Sequence, residues 1–169
     1  MPRSNTETEN RPQDFDSQDF RRVLGNFCSG LTVITAMDGD TPVGLACQSF
    51  SSLSLEPPMV AFFVGKKSTS WPRIARSGAF CVNVLQVEQE QLCERFARSG
   101  GEKFRGVRWT GSPHGLPHLD GSLAWIDCAI EEVHSAGDHH IVVGSVRLLE
   151  ARSEGSPLLF FRGGFGQFI

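Results

Sequence analysis

Short β-branched apolar runs, punctuated by Gly, Pro and Asp and never alternating regularly with helices, constrain this chain most. Leu31–Thr35, Val43–Phe50, Met59–Val64, Ala79–Leu85, Ser122–Val133, His140–Glu150 and Pro157–Phe161 read as about seven strands. Asp38-Gly39-Asp40 and Ser135–Asp138 are turn sequences that join neighbouring runs as hairpins. Without βαβ alternation a parallel sheet is excluded. The expectation is a mainly β, antiparallel architecture closed or nearly closed into a barrel, because closure removes the edges that short strands leave. Three short helices complete it. The first is capped by Asp16 or Ser17, carries Phe20, Val23, Leu24, Phe27 and Cys28, and ends at Gly30. The second opens at Thr69 or Ser70 with Pro72 in its first turn. The third spans Glu88–Arg98, with Leu92, Cys93 and Phe96 on one face. Residues 1–16 are polar and read as a flexible tail, residues 17–169 as one domain, and Glu102–Asp120 as loop.

At 169 residues the chain holds one real core and is too short for two ordinary domains. A net charge of −3 with no basic block argues against nucleic acid. The longest apolar runs are strand-sized, far below a membrane span. The N-terminus has no apolar signal region. Five cysteines, an odd count without any Cys-x-x-Cys pair, sit mostly in apolar runs as buried free thiols do. These features predict a cytoplasmic, reduced protein.

Two segments carry chemistry. Gly44–Pro58 packs four serines and a glutamine between apolar residues. It lacks the glycines and the Lys-Ser/Thr of a nucleotide P-loop. It reads either as a serine-rich turn before a Pro-Pro stop or as hydroxyls and N–H groups that grip a phosphate and the edge of a flat heterocycle. Strand alternation fails after Ser51, which predicts a bend there that frees N–H groups for a ligand. Lys66 or Lys67 from the next loop can assist. The second segment is Gly137-Asp138-His139-His140, where a carboxylate can orient the ring of His139; the alternative is a solvated turn. His114, His118 and His134 lack metal-like spacing with any Cys or carboxylate pair, which argues against zinc, and no metal is expected. No Gly-x-Ser-x-Gly elbow exists, and Cys47 in an apolar run reads as packing.

With these residues in view, the chain resembles the short-chain flavin reductases, the reductase components of two-component flavin-dependent monooxygenases. The matching stretches are Phe20–Gly30 leading into Thr32–Thr35, Pro42–Gly44 with Ala46–Pro58, and Lys67-Ser68. They continue through Gly78–Leu85, Arg95-Phe96, Lys103-Phe104, Gly137–His139 and Pro157–Phe160. Within that family the wording of Ala46–Phe50, Phe80–Leu85 and Gly121–Ala124 is especially similar to the reductase halves of actinobacterial steroid-ring-degrading hydroxylases. Gln48 stands where many members have Asn, and Phe161 and Phe165 stand where relatives often have aromatic residues, Tyr among them.

The resemblance implies an antiparallel Greek-key split β-barrel with a few short helices, and a homodimer. It implies hydride transfer from NADH, or NADPH, to FMN or FAD, with reduced flavin passed to a monooxygenase. Its flavin-binding residues are Ala46, Cys47, Gln48, Ser49, Ser51, Ser52, Lys67, Ser68, Lys103 and Phe104. Asp138 and His139 serve the nicotinamide side, and the phosphate site is expected to lack an arginine clamp. The alternative reading is a non-enzymatic flavin- or haem-binding split-barrel protein.

Overall fold

A computed structural model of the protein describes residues 14–168. Residues 1–13, most of the segment read as a tail, lie outside the described residues. The elements run α1 (Ser17–Leu24), β1 (Ser29–Gly30), β2 (Thr32–Asp38), β3 (Thr41–Cys47), β4 (Phe50–Leu55) and β5 (Pro58–Gly65). Then come α2 (Trp71–Ser77), β6 (Ala79–Val84), α3 (Glu90–Ala97), β7 (Trp109–Gly111) and β8 (Pro117–Leu119). The chain closes with β9 (Ala124–Ala136), β10 (His139–Ala151), β11 (Leu158–Phe161) and β12 (Gly164–Gln167). No described helix is long and apolar enough to cross a membrane.

Seven strands form one antiparallel sheet in the order β3-β2-β6-β9-β10-β5-β4. No ladder joins β3 to β4, so the sheet is open and the closed barrel expected from the sequence is not formed. The reason lies at Gln48-Ser49, where the chain leaves the extended conformation between β3 and β4. There the Ser49 side chain extends the β4–β5 pairing past Phe50: Ser49 Oγ donates to Phe63 O at 2.9 Å and accepts from Phe63 N–H at 3.1 Å.

β2 explains its own continuous apolar run, since both its faces are covered. Ile34 and Ala36 join Phe62, Trp71, Ile74, Phe80 and Val142 in one cluster. Val33 joins Leu31, Leu85, Phe96, Leu119 and Leu158 in a second, beneath α3 and the β7–β8 hairpin. Gly144 on β10 is required by close approach: a Cβ there would meet Phe80 Cζ at 2.6 Å.

Three features depart from the sequence reading. The stretch read as loop contains the β7–β8 hairpin, and the chain adds β12 beyond Gly163 through a turn in which Arg162 (φ 49°) and Gly163 (φ 82°) are both left-handed. Arg162 offsets that backbone cost by bonding Asn26 Oδ1 through Nε (2.9 Å) and Nη2 (2.6 Å). Asp16 caps α1 as expected, through Gln18 and Asp19 N–H, but the helix ends at Gly25 and, among the described residues, its apolar face is uncovered. Phe20, Val23, Leu24 and Phe27 are all exposed, Phe27 to 80%.

Candidate active site

A cleft of about 1190 Å3 opens between the end of β3, the loop after β5, the C-terminus of α3, the start of α1 and the β9–β10 turn. Leaving the extended conformation after Cys47 puts the Ala46–Ser49 backbone along one wall. Lys67 and Ser68 line a second wall; Ser70 is the N-cap of α2, one of the two residues expected, but its side chain makes no capping bond, and Ser68 Oγ accepts from Trp71 N–H instead (3.2 Å). The two-residue turn Gly137-Asp138 brings His139 to a third wall. Lys66 holds that turn, donating from Nζ to Gly137 O at 2.7 Å and from its backbone N–H to Asp138 O at 2.9 Å.

Of the residues expected from the sequence, Ala46, Cys47, Gln48, Ser49, Lys67, Ser68, Lys103, Asp138 and His139 line this one cleft. Ser51, Ser52 and Phe104 do not. The chain leaves the strand at Gln48-Ser49; the alternation failure expected after Ser51 is a register shift between Ser52 and Ser54 inside β4, not a strand end, so Ser51 and Ser52 lie exposed on that edge strand, and Ser51 Oγ donates to Ser52 O at 2.9 Å. Phe104 packs edge-on against Phe96 and Trp109 in the second core cluster. Arg21 and Arg98, which the sequence reading did not single out, also line the cleft. Neither has a local motif to announce it: one lies on a helix face, the other just past a helix end.

The electrostatics divide these groups. Burial drives the Lys103 pKa down, and its ammonium donates to Phe96 O (3.0 Å), Ser70 Oγ (3.2 Å) and Gly44 O (3.3 Å). It pins α3 to β3 and is already committed. Burial pushes the Cys47 thiol up, so it is a neutral packing group and no nucleophile. The hydrogen bond to His139 Nδ1 (2.7 Å) holds the Asp138 carboxyl below its ordinary value. That bond fixes which ring nitrogen faces the carboxylate and leaves the other for a ligand.

Away from the cleft, the fold unites residues whose spacing suggested nothing. Cys81 on β6 sits opposite Asp127 on β9, and His118 on β8 reaches the same carboxylate. Their donor atoms lie within 4.8 Å of one another.

The model of the flavin reductase like domain matches residues 24–168. This chain belongs to the flavin reductase family. The reductase subunit HsaB of a flavin-dependent monooxygenase from Rhodococcus jostii is 55% identical over 148 residues, covering 88% of this chain and 76% of that protein. The FMN reductase (NADH) SmoA of Agrobacterium fabrum is 39% identical over 157 residues, covering 93% and 89%. Among solved structures, the NADH:FAD oxidoreductase SgcE6 of Streptomyces globisporus, in complex with NAD and FAD fragments, superposes with a TM-score of 0.86 at 34% identity, covering 94% of this chain and 98% of that one.

Proposed function

We propose that this flavin reductase takes hydride from NADH, or NADPH, to FMN or FAD within the cleft and supplies the reduced flavin to a partner monooxygenase. The observation that carries the reading is the convergence of the Ala46–Ser49 backbone, the Lys67–Ser68 corner and the Asp138–His139 turn on one open cleft. Ligand pockets usually run to about 300–1,000 Å3, so a cleft somewhat larger than that has room for two heterocycles. The residues fit the group: a wall of backbone and amide polar atoms, apolar Phe63 and Ile141, and cations at the rim.

Bound together, a nicotinamide and a flavin supply the hydride transfer themselves, and the protein supplies placement. In this reading the Ala46–Ser49 backbone and the Gln48 amide bond the heterocycle edge. Lys67 and Ser68, with Arg21 and Arg98, attract phosphate. Ser51 and Ser52 continue that polar edge outside the cleft and contribute less. Phe63 and Ile141 keep water off the reacting face. His139, oriented by Asp138, positions the nicotinamide nucleotide, and no proton transfer is asked of it.

The architecture is read as the split barrel of the family, working as a cytoplasmic homodimer. The uncovered apolar face of α1 supports the dimer, since α1 also rims the cleft. Such an interface should bury more than about 1,000 Å2.

The test is NADH oxidation by the purified protein with FMN, FAD and riboflavin in turn. Turnover that depends on added flavin supports the reading. Tight flavin binding without NADH turnover would establish the non-enzymatic alternative.

A further inference from the structure

We propose that Cys81, His118 and Asp127, joined by His114, form a binding site for a zinc-class divalent cation that staples the β7–β8 hairpin to the sheet. The site is separate from the cleft, none of whose lining residues it shares. Cys81 and Asp127 are register partners on neighbouring strands, both fully buried. His118 Nε2 lies 2.8 Å from Asp127 Oδ1, and His114 Nδ1 lies 3.2 Å from Oδ2. Ligand atoms on one tetrahedral zinc stand about 3.3–3.7 Å apart, given bond lengths of about 2.0–2.3 Å. The Cys81, His118 and Asp127 donor atoms all lie within 4.8 Å of one another; the 2.8 Å His118–Asp127 pair has to open by about half an ångström, and any pair near the outer limit has to close by about one, to reach that spacing.

The surroundings supply what such a site requires. The His118 ring stacks on Trp125 (5.7 Å between centroids, 13° between planes), which sets its orientation. Its other nitrogen, Nδ1, lies 4.0 Å from Glu150 Oε2, beyond hydrogen-bond reach but near enough for that carboxylate to favour a cation at the site. Among the described ion pairs, Asp127 faces histidines only, with no lysine or arginine to balance its buried charge. A dication balances one thiolate and one carboxylate. A thiolate, imidazole and carboxylate set suits zinc above magnesium or calcium. On binding, the metal–sulfur, metal–nitrogen and metal–oxygen bonds form, the thiol proton passes to solvent, and the histidine–Asp127 hydrogen bonds give way. His114 is the half-exposed member and marks the entry path.

The experiment strips the full chain with a chelator and titrates it with Co2+. One equivalent per chain should raise a thiolate-to-cobalt charge-transfer band with the visible bands of a four-coordinate ion, both abolished by added Zn2+. Cys81→Ser should lose the charge-transfer band, whereas replacing the exposed Cys28 with Ser should keep it. Zn2+ should raise the Tm of the native chain and leave that of Cys81→Ser unmoved. If Cys81→Ser does not fold, His114→Ala supplies the test, and its cobalt affinity should fall at least about tenfold. No band at excess cobalt, a band that follows Cys28, or an unchanged His114→Ala would overturn the site.

Discussion

At the cleft, Lys67, Ser68, Asp138 and His139 stand on loops and strand ends, where solvent and ligands can reach them. On the far side of β2 and β6, Thr35, Asn83, His118 and Asp127 are buried and bonded inward. Thr35 Oγ1 donates to Pro117 O at 2.6 Å, Asn83 Nδ2 donates to Val33 O at 3.0 Å, and Asn83 Oδ1 accepts from Leu119 N–H at 2.7 Å. Both regions are polar, but their polar groups are spent differently. In the buried region each bond ties the β7–β8 hairpin or a neighbouring strand to the sheet, so those groups specify the fold. At the cleft the bonds of Ser68 and His139 are local and orient side chains, leaving capacity for a ligand. Among the described residues, Ser122 Oγ is the one buried side-chain atom without a partner.

Asp127→Ala should break this contrast most forcefully. Removing one partner of a buried charged group costs about 3–5 kcal/mol, to be read as a lower denaturation midpoint, while flavin affinity of the folded fraction stays unchanged. Acid should reach the same group. Burial pushes the Asp127 carboxyl up, but hydrogen bonds from Ser112, His118 and His114 outweigh this and hold it below its ordinary value. Its contribution to stability is therefore full above the unfolded carboxyl pKa of about 4 and is lost as pH falls through the lower folded value. Asp127→Asn should flatten that acid limb of the stability profile; an unchanged limb would assign it to other carboxylates.

Gly44→Ala comes next, because Gly44 joins the two regions. A Cβ there would meet Phe96 Cε1 at 2.7 Å and Ile34 O at 2.9 Å. Overpacking of this kind costs about 1–3 kcal/mol. Since Gly44 O also accepts from Lys103, flavin affinity should fall together with thermal stability.

His139→Ala should act on the cleft alone, raising KM for NADH or slowing flavin reduction by about tenfold, or about 1.4 kcal/mol, with Tm unmoved. Loss of flavin affinity would place His139 on the flavin side. Asp138→Asn should show a weaker form of the same defect, because it loosens the ring without removing it.

The smallest effect is expected from salt. Higher ionic strength should weaken flavin binding modestly if Lys67 makes an exposed phosphate contact, and Ser51→Ala with Ser52→Ala should cost less than Lys67→Ala. The reverse order would extend the site along β4.

Much of this was legible in the sequence. The β-branched runs marked most strands of the seven-stranded sheet, and the serine segment with Gly-Asp-His marked two walls of the cleft. What stayed hidden depended on tertiary structure. β7, β8 and β12 are three or four residues long, too short for an alternation signal, and they exist by pairing. Ser51 and Ser52 were misplaced because sequence alternation cannot say which residue leaves the strand. Cys81 meets Asp127 through β6–β9 register, information that spacing along the chain does not hold. The apolar stripe of α1 was read as a helix face, but Phe27 and Cys28 fall beyond the helix end, and no described residue buries Phe20, Val23 or Leu24.

A structure of the protein soaked with FMN or FAD tests the central claim most directly. The heterocycle should lie in the cleft against the Ala46–Ser49 backbone, with its phosphate toward Lys67 and Ser68 and His139 free to meet a nicotinamide. A flavin seated elsewhere, with no contact to Ala46–Ser49, would contradict the account.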